Sequence, residues 1–467
     1  MKRRTLAIVS GLMLILMVTI ACNLRIPGAN AIDNAATSVA ATVNALAGTA
    51  AEALTAMPHT GVTESATEAL PTMPPPEVEY PITVSFAAPD GSLYVWEDGM
   101  GAPQLLIPTD NICCTYISED GTLIAFTRYV DNNFSSLEVI NSDGTNRRVL
   151  LDATGAAALP KPADAIGTEP DKVDWIPGTH TLSFSARHYF EGPGLFMNEN
   201  FYLIDAETGG METLLSTGNT TWQFAWSPDG SKVAISNPNG IAVYDSSGAT
   251  IAPNILTYPF INTASEYAWT AYPTWSEDST TLIARVPPQD PFFGTGADLN
   301  SSMWRVSADG LSGEQLFAGQ MEYMMRGDTG VSPDLSKMLY LVQTGTPADN
   351  TYNLIVSNVD GSGSSVVASG QFQSDPVWSP DNSHFFYSVG WLPDSVPYIG
   401  QVGAASTPVL DFTNSVGGKW IDDNRYLTVT NDGGRWRLLL GTVGSATGVI
   451  YDSVGTSDNQ ITLDVNR

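Results

Sequence analysis

At 467 residues, with 42 Gly, 30 Pro, 11 Trp and 15% charged side chains, the chain has a globular composition and length enough for one large β-domain plus extensions. Forty-nine acidic against 20 basic residues give a net charge of −29. Such a surface repels phosphate backbones and excludes nucleic acid as an expected partner, although acidity also serves plain solubility.

In chain order, the first element is a leader. Lys2-Arg3-Arg4 precede an apolar run from Leu6 to Ile20 that is short for a membrane span and has the layout of a secretory signal. It ends in Val18-Thr19-Ile20-Ala21-Cys22, which resembles a bacterial lipobox; Thr19 stands where Leu is usual. The resemblance implies a signal peptide over 1–21, acylation of Cys22, and an extracytoplasmic protein whose partner is a membrane reached through that lipid. Ordinary secretion and an uncleaved anchor are the alternatives. Residues 22–80 read as an Ala/Thr/Pro-rich tether, which as coil reaches roughly 40 Å.

From residue 81 to 467 the pattern is β throughout. Short Val-, Ile-, Leu- and Tyr-rich runs alternate with Asp-Gly, Asn-Gly and Pro-Asp turns. One turn recurs: Ser118-Glu119-Asp120-Gly121, Trp175-Ile176-Pro177-Gly178, Trp226-Ser227-Pro228-Asp229-Gly230 and Trp275-Ser276-Glu277-Asp278-Ser279. It returns at Val331-Ser332-Pro333-Asp334, Trp378-Ser379-Pro380-Asp381 and Trp420-Ile421-Asp422-Asp423. An apolar strand follows, such as Val233-Ala234-Ile235 or Phe385-Phe386-Tyr387, then an alternating strand and a short outer one. Four-strand units returning every ~40–60 residues are the signature of propeller blades.

These phrases closely resemble the Trp-Ser-Pro-Asp-Gly repeat of TolB-type, WD-like β-propellers, over roughly residues 82–465. The resemblance implies structural duties for Trp226, Asp229, Trp275, Asp278, Trp378 and Asp381: packing between blades for the tryptophans, turn-shaping for the aspartates. The expected fold is therefore an all-β propeller of four-stranded blades. Eight are counted, with seven left open if the N-terminal unit packs differently. The unit near Ile82 to Ile107 lacks an innermost strand, and the run Gln460 to Val465 is placed to supply it and close the ring.

Blade topology sorts the connections onto two faces. The repeated turns share one; the long segments 153–170, 187–200, 258–271, 286–301, 319–327 and 390–396 gather on the other. Their aromatic side chains, Tyr189, Phe190, Tyr267, Trp269, Phe293, Tyr323 and Trp391 among them, form a candidate recognition surface for a protein, peptide or glycan, against the plainer expectation that they pack the loops.

No catalytic residue is nominated. There is no Gly-x-Ser-x-Gly elbow, and the four histidines, including His180, His188 and His384, show no metal spacing. Cys113-Cys114 cannot close a zinc site alone and reads as structural. No metal or other cofactor is expected. The sequence thus points to a lipid-anchored, non-catalytic binding or scaffolding propeller. The alternative is a glycoside hydrolase or polysaccharide lyase using funnel carboxylates such as Asp174, Glu191 and Asp298.

Overall fold

The computed structural model describes residues 80–191, 196–216, 223–261, 270–290, 299–321, 330–344, 350–372, 374–409, 412–454, 457 and 459–466. All lie in one compact unit, Val78–Arg467. Its secondary structure is antiparallel meanders arranged as eight sheets. Blade 1 contains Thr83–Ala87, Leu93–Glu97 and Gln104–Ile107. Blades 2 to 5 span 112–152, 167–215, 223–257 and 272–319; blades 7 and 8 span 377–408 and 415–452. Blade 6 has three paired strands over 337–370, and Val331 bridges Met338 in the place of its innermost one.

The ring is closed by the far end of the chain. Thr462–Val465 pairs with Thr83–Ala87, setting Val465 opposite Val84 and Thr462 opposite Ala87. Asn466 locks the seam: its Oδ1 accepts from Thr83 N at 2.6 Å and its Nδ2 donates to the Pro81 carbonyl at 2.9 Å. Closure leaves no exposed inner edge on blade 1, the feature that otherwise invites edge-to-edge pairing.

Alternation along each strand sends apolar side chains to both sheet faces, and each face is buried against the next blade. Eight apolar clusters result, one for each pair of neighbours. Phe126 and Ile124 meet Leu93 and Val95 between blades 1 and 2; Leu427 and Leu438 meet Val84 and Phe86 between blades 8 and 1. The other six fill the remaining seams. Eight seams for eight blades is the direct evidence of a closed ring. In blades 7 and 8 an aromatic lies over a glycine on the adjacent strand, Phe385 opposite Gly400 and Tyr426 opposite Gly441. A Cβ on those glycines would sit 2.1 and 2.2 Å from ring atoms.

Four of the repeated tryptophans reach back one blade. Trp226 Nε1 donates to Ser183 Oγ, Trp275 Nε1 to the Ala225 carbonyl and Trp378 Nε1 to the Gly330 carbonyl, all at 2.9 Å. Trp420 does the same to Val377 at 2.8 Å. Burying an indole satisfies its apolar body only if its N–H also finds an acceptor. The neighbouring backbone or hydroxyl supplies one.

The repeated aspartates organise the turns. Asp229 Oδ1 accepts from Ser227 Oγ at 2.6 Å and from the backbone and hydroxyl of Ser231 at 3.0 and 2.8 Å. Asp278, Asp334 and Asp381 repeat the arrangement with Ser276/Thr280, Ser332/Ser336 and Ser379/Ser383. Successive turns also touch: Asp229 N donates to Ser279 Oγ, Asp334 N to Asn382 Oδ1 and Gly178 N to Glu119 Oε2. Gly230, at φ 64°, passes so close to Pro177 that a Cβ would lie 2.5 Å from its carbonyl oxygen.

Two of the long segments are more ordered than their composition indicates. Segment 153–170 holds a short helix, Ala153–Ala158, capped by Asp152, whose carboxylate accepts from Gly155 N at 2.7 Å. The strand Gly167–Trp175 follows. Segment 187–200 is largely a hairpin extension, with Tyr189 opposite Phe196 and Arg187 opposite Asn198. Side-chain bonds across this ladder, such as Asn198 Nδ2 to Ser185 Oγ at 2.8 Å, carry the strands past the expected boundary. His188, within this segment, is consequently fully buried and bonded to Thr168.

Candidate functional site at the loop end of the channel

In an antiparallel meander the first and third strands run one way and the second and fourth return. The connections between strands two and three, and between successive blades, therefore share one end of the ring. Inner strands run from this loop end toward the repeated turns, so their first residues lie at the channel mouth and their last ones near the turn end.

Toward the turn end, the inner strands carry charge that links blade to blade. On blade 8, Lys419 Nζ lies 2.5 Å from Asp464 Oδ1 of the closing strand. Asp464 Oδ2 accepts from Ile117 N of blade 2 at 2.9 Å. Lys172 of blade 3 donates to Gln223 of blade 4 at 2.9 Å. A register shift between Asp171 and Asp174 accompanies the left-handed φ of 53° at Lys172. Asp174 is solvent-accessible yet surrounded by protein, as a lumenal group is. That enclosure, helped by the charge of Asp464, pushes its carboxyl up to about 6. Burial likewise lowers the Lys172 ammonium, with Arg187 adding to the effect and Asp171 opposing it.

Nearer the mouth a second group is built on blades 2 and 3. Arg187 Nη2 pairs with Asp171 Oδ2 at 2.6 Å, and Asn198 Nδ2 donates to the same oxygen at 2.7 Å. Glu169, only 8% exposed, accepts from the Tyr189 hydroxyl. Burial first, then the bond to Glu169, moves that phenol up to about 12. Tyr116, Tyr129, Cys113 and Cys114 belong to the same electrostatic neighbourhood.

Of the aromatic set, Tyr189 and Phe190 are half-buried at the loop end of blade 3. Trp391 is 45% exposed on blade 7. Four blades separate them, so the ring places these side chains on opposite sides of the mouth. Phe260 is 63% exposed at the same end, whereas Tyr258 is buried and its hydroxyl donates to the Asn237 carbonyl and accepts from Ala271 N. Tyr267, Trp269, Phe293, Tyr323 and Asp298 fall outside the described residues, as does Cys22. Two clefts open at the turn end. One of about 250 Å³ is lined by Tyr80, Asp120 and His180, and one of about 450 Å³ lies between blades 7 and 8 beside His384 and Tyr426. No group of three or more His, Cys, Asp or Glu among the described residues has metal-holding geometry.

No family model matches the chain, and no curated protein matches it. Among solved structures it is similar to an oligogalacturonate lyase in complex with manganese, at 14% identity over 66% of this chain and 82% of that one, TM-score 0.44. It is also similar to a eukaryotic initiation factor, at 12% identity over 83% and 98% of the two chains, TM-score 0.49. TolB from Acinetobacter baumannii is similar at 11% identity over 82% and 66%, TM-score 0.35. The fold is an eight-bladed β-propeller.

Sequence reasoning passed over Arg187, Asp171, Glu169, Lys172, Lys419 and Asp464. A signal for several of them was present: Glu169-Pro170-Asp171-Lys172-Val173-Asp174 puts four charges in an inner strand, where apolar alternation is the rule. Their pairing across blades depends on ring closure and has no local signature.

Proposed function

We propose that the chain is a lipid-anchored, extracytoplasmic propeller that binds a glycan, peptide or protein partner at the loop end of its channel without transforming it. The observation that carries this reading is how the carboxylates of the inner strands are held. Asp171 is held by Arg187 and Asn198, Glu169 by Tyr189, and Asp464 by Lys419 and a backbone N–H. Carboxylates already engaged by protein donors shape and polarise a site, whereas acid–base work needs a carboxyl open to the substrate. The aromatic surface of Trp391 and Phe260 at the same end adds apolar contact of the kind that anchors partners. The leader and tether sequences support the anchoring: a cysteine placed for acylation at Cys22 and an Ala/Thr/Pro-rich spacer beyond it.

One feature favours the hydrolase or lyase reading: Asp174, raised to about 6, faces the charge of Asp464. A carboxyl raised beside a second carboxylate is a usual mark of an acid–base site. A panel of polysaccharides and chromogenic glycosides decides. Binding without turnover is expected; turnover abolished by Asp174→Asn would transfer the assignment to the enzyme. Membrane fractionation tests the anchor: the wild type sediments with membranes, and Cys22→Ser releases it or leaves the leader uncleaved. A Cys22→Ser protein that remains membrane-bound after leader cleavage would remove the lipid from the account.

A further inference from the structure

Cys113 and Cys114 stand in the inner strand of blade 2, near the channel mouth. Regular pleating sends adjacent side chains to opposite faces and keeps their sulfurs apart. Here the register slips: Ile112 pairs with Arg128 and Cys114 with Thr127, so Cys113 is the extra residue of a β-bulge. The bulge brings the two Sγ atoms to 2.7 Å. Cys113 is exposed and Cys114 half-buried. From the closing strand, the Thr462 hydroxyl donates to the Cys113 carbonyl, tying the bulge to blade 1. The chain's other cysteine is Cys22, assigned to the anchor.

We propose that Cys113 and Cys114 form a reversible dithiol–disulfide couple in the channel wall that exchanges with small-molecule thiols and disulfides. The two sulfurs have distinct roles. The adjoining Cys114 sulfur lowers the Cys113 thiol to about 7, against burial and the nearby charge of Glu169. The same contact, with burial, raises Cys114 and keeps its proton in place. Cys113, the exposed sulfur and the more acidic thiol, is therefore the nucleophile. Its thiolate attacks one sulfur of a disulfide R–S–S–R, forming a mixed disulfide and releasing R–S⁻, which takes up a proton. Cys114 then loses its proton to solvent and attacks the Cys113 sulfur, releasing the second R–S⁻. Two protein thiols and one R–S–S–R become one protein disulfide and two R–SH. Adjacent residues hold their Cα atoms ~3.8 Å apart, below the ~4.4–6.8 Å that a relaxed bridge spans, so the ring is strained and reopens readily with excess thiol.

The test treats the full-length protein with oxidised glutathione at neutral pH, followed by peptide mass analysis. The wild-type peptide holding both cysteines should lose two hydrogens, carry no glutathione, and return to its starting mass with dithiothreitol. Cys114→Ser should stop at a glutathione adduct on Cys113, and Cys113→Ser should form its adduct about tenfold more slowly. Phenylarsine oxide, which needs two thiols together, should protect the wild-type peptide from alkylation. A persistent glutathione adduct on the wild type, no reaction at all, or equal rates for the two serine variants would overturn the proposal. If a serine variant fails to fold, the wild-type mass and its reversal still decide.

Discussion

At the turn end of the ring, Ser227, Asp229 and Ser231 close a hydrogen-bonded loop that recurs at three later blades with the same atoms in the same roles. At the loop end, Tyr189, Phe260 and Trp391 follow no common pattern: one is tied to a buried carboxylate and two stand in solvent. Repetition marks the places where every blade meets the same neighbour and must solve the same packing problem. Individuality marks the places where no neighbour dictates the residue, which is where recognition can evolve.

The contrast breaks down first if the ring is not what holds the turns in register. Removing residues 459–467 takes away the closing strand, strips cover from Val84 and Phe86, and leaves Thr83–Ala87 as an open edge. The expected loss is on the order of 5 kcal/mol, with self-association visible by light scattering. A truncated chain that stays monomeric with an unchanged urea midpoint would contradict ring closure. Next in size, Trp378→Ala empties a buried indole site between blades 6 and 7. It should lower stability by about 3–5 kcal/mol in urea unfolding.

The aspartate turns are smaller contributions and carry a pH signature. Asp229→Ala should lose about 1–2 kcal/mol. Burial opposes ionisation of Asp120 and Asp229, yet bonds from Ser118 and Thr122, or Ser227 and Ser231, prevail and hold each carboxyl at about 2. A folded value below the unfolded one, ~3.9, means that their stabilisation is present above about pH 4 and disappears as pH falls toward 2. Asp174 behaves oppositely. Its folded value of about 6 favours the native state below pH ~4, and that advantage is lost as pH rises through 6. Thermal unfolding across pH should show Asp174→Asn more stable than wild type above pH 6, with the gap closing on acidification. The reverse order would place Asp174 outside the enclosed lumen. Smallest of all, Trp391→Ala should change stability by no more than ~0.5 kcal/mol, because nearly half of the side chain is already in water and it fills no seam between blades.

What the sequence made legible follows the same division. Trp226, Trp275 and Trp378 announce themselves because each answers an identical demand, a filled seam with an acceptor for its N–H. The alternation Ile461-Thr462-Leu463-Asp464-Val465 marks a strand needing a partner, and Thr83–Ala87 was the one unit short of an inner strand. Blade 6 was harder, since only the bridge at Val331 stands in for its first strand. The channel was nearly silent. Lys419 and Asp464 are 45 residues apart and meet only because the last strand returns to the first blade. The bulge at Cys113 depends on register against Arg128 and Thr127, which local composition does not encode. Trp175 shows the cost of departing from the repeat: its turn lacks the aspartate, and its buried indole N–H has no hydrogen-bond partner in the structure.

The most direct test pairs one variant from each end of the ring against an immobilised glycan and peptide array, recording affinity and melting temperature for both. The account predicts that Trp391→Ala loses binding while melting with the wild type, and that Asp381→Ala melts earlier while binding normally below its transition. Binding lost in Asp381→Ala and kept in Trp391→Ala would move recognition to the turn end and contradict the division of labour drawn here.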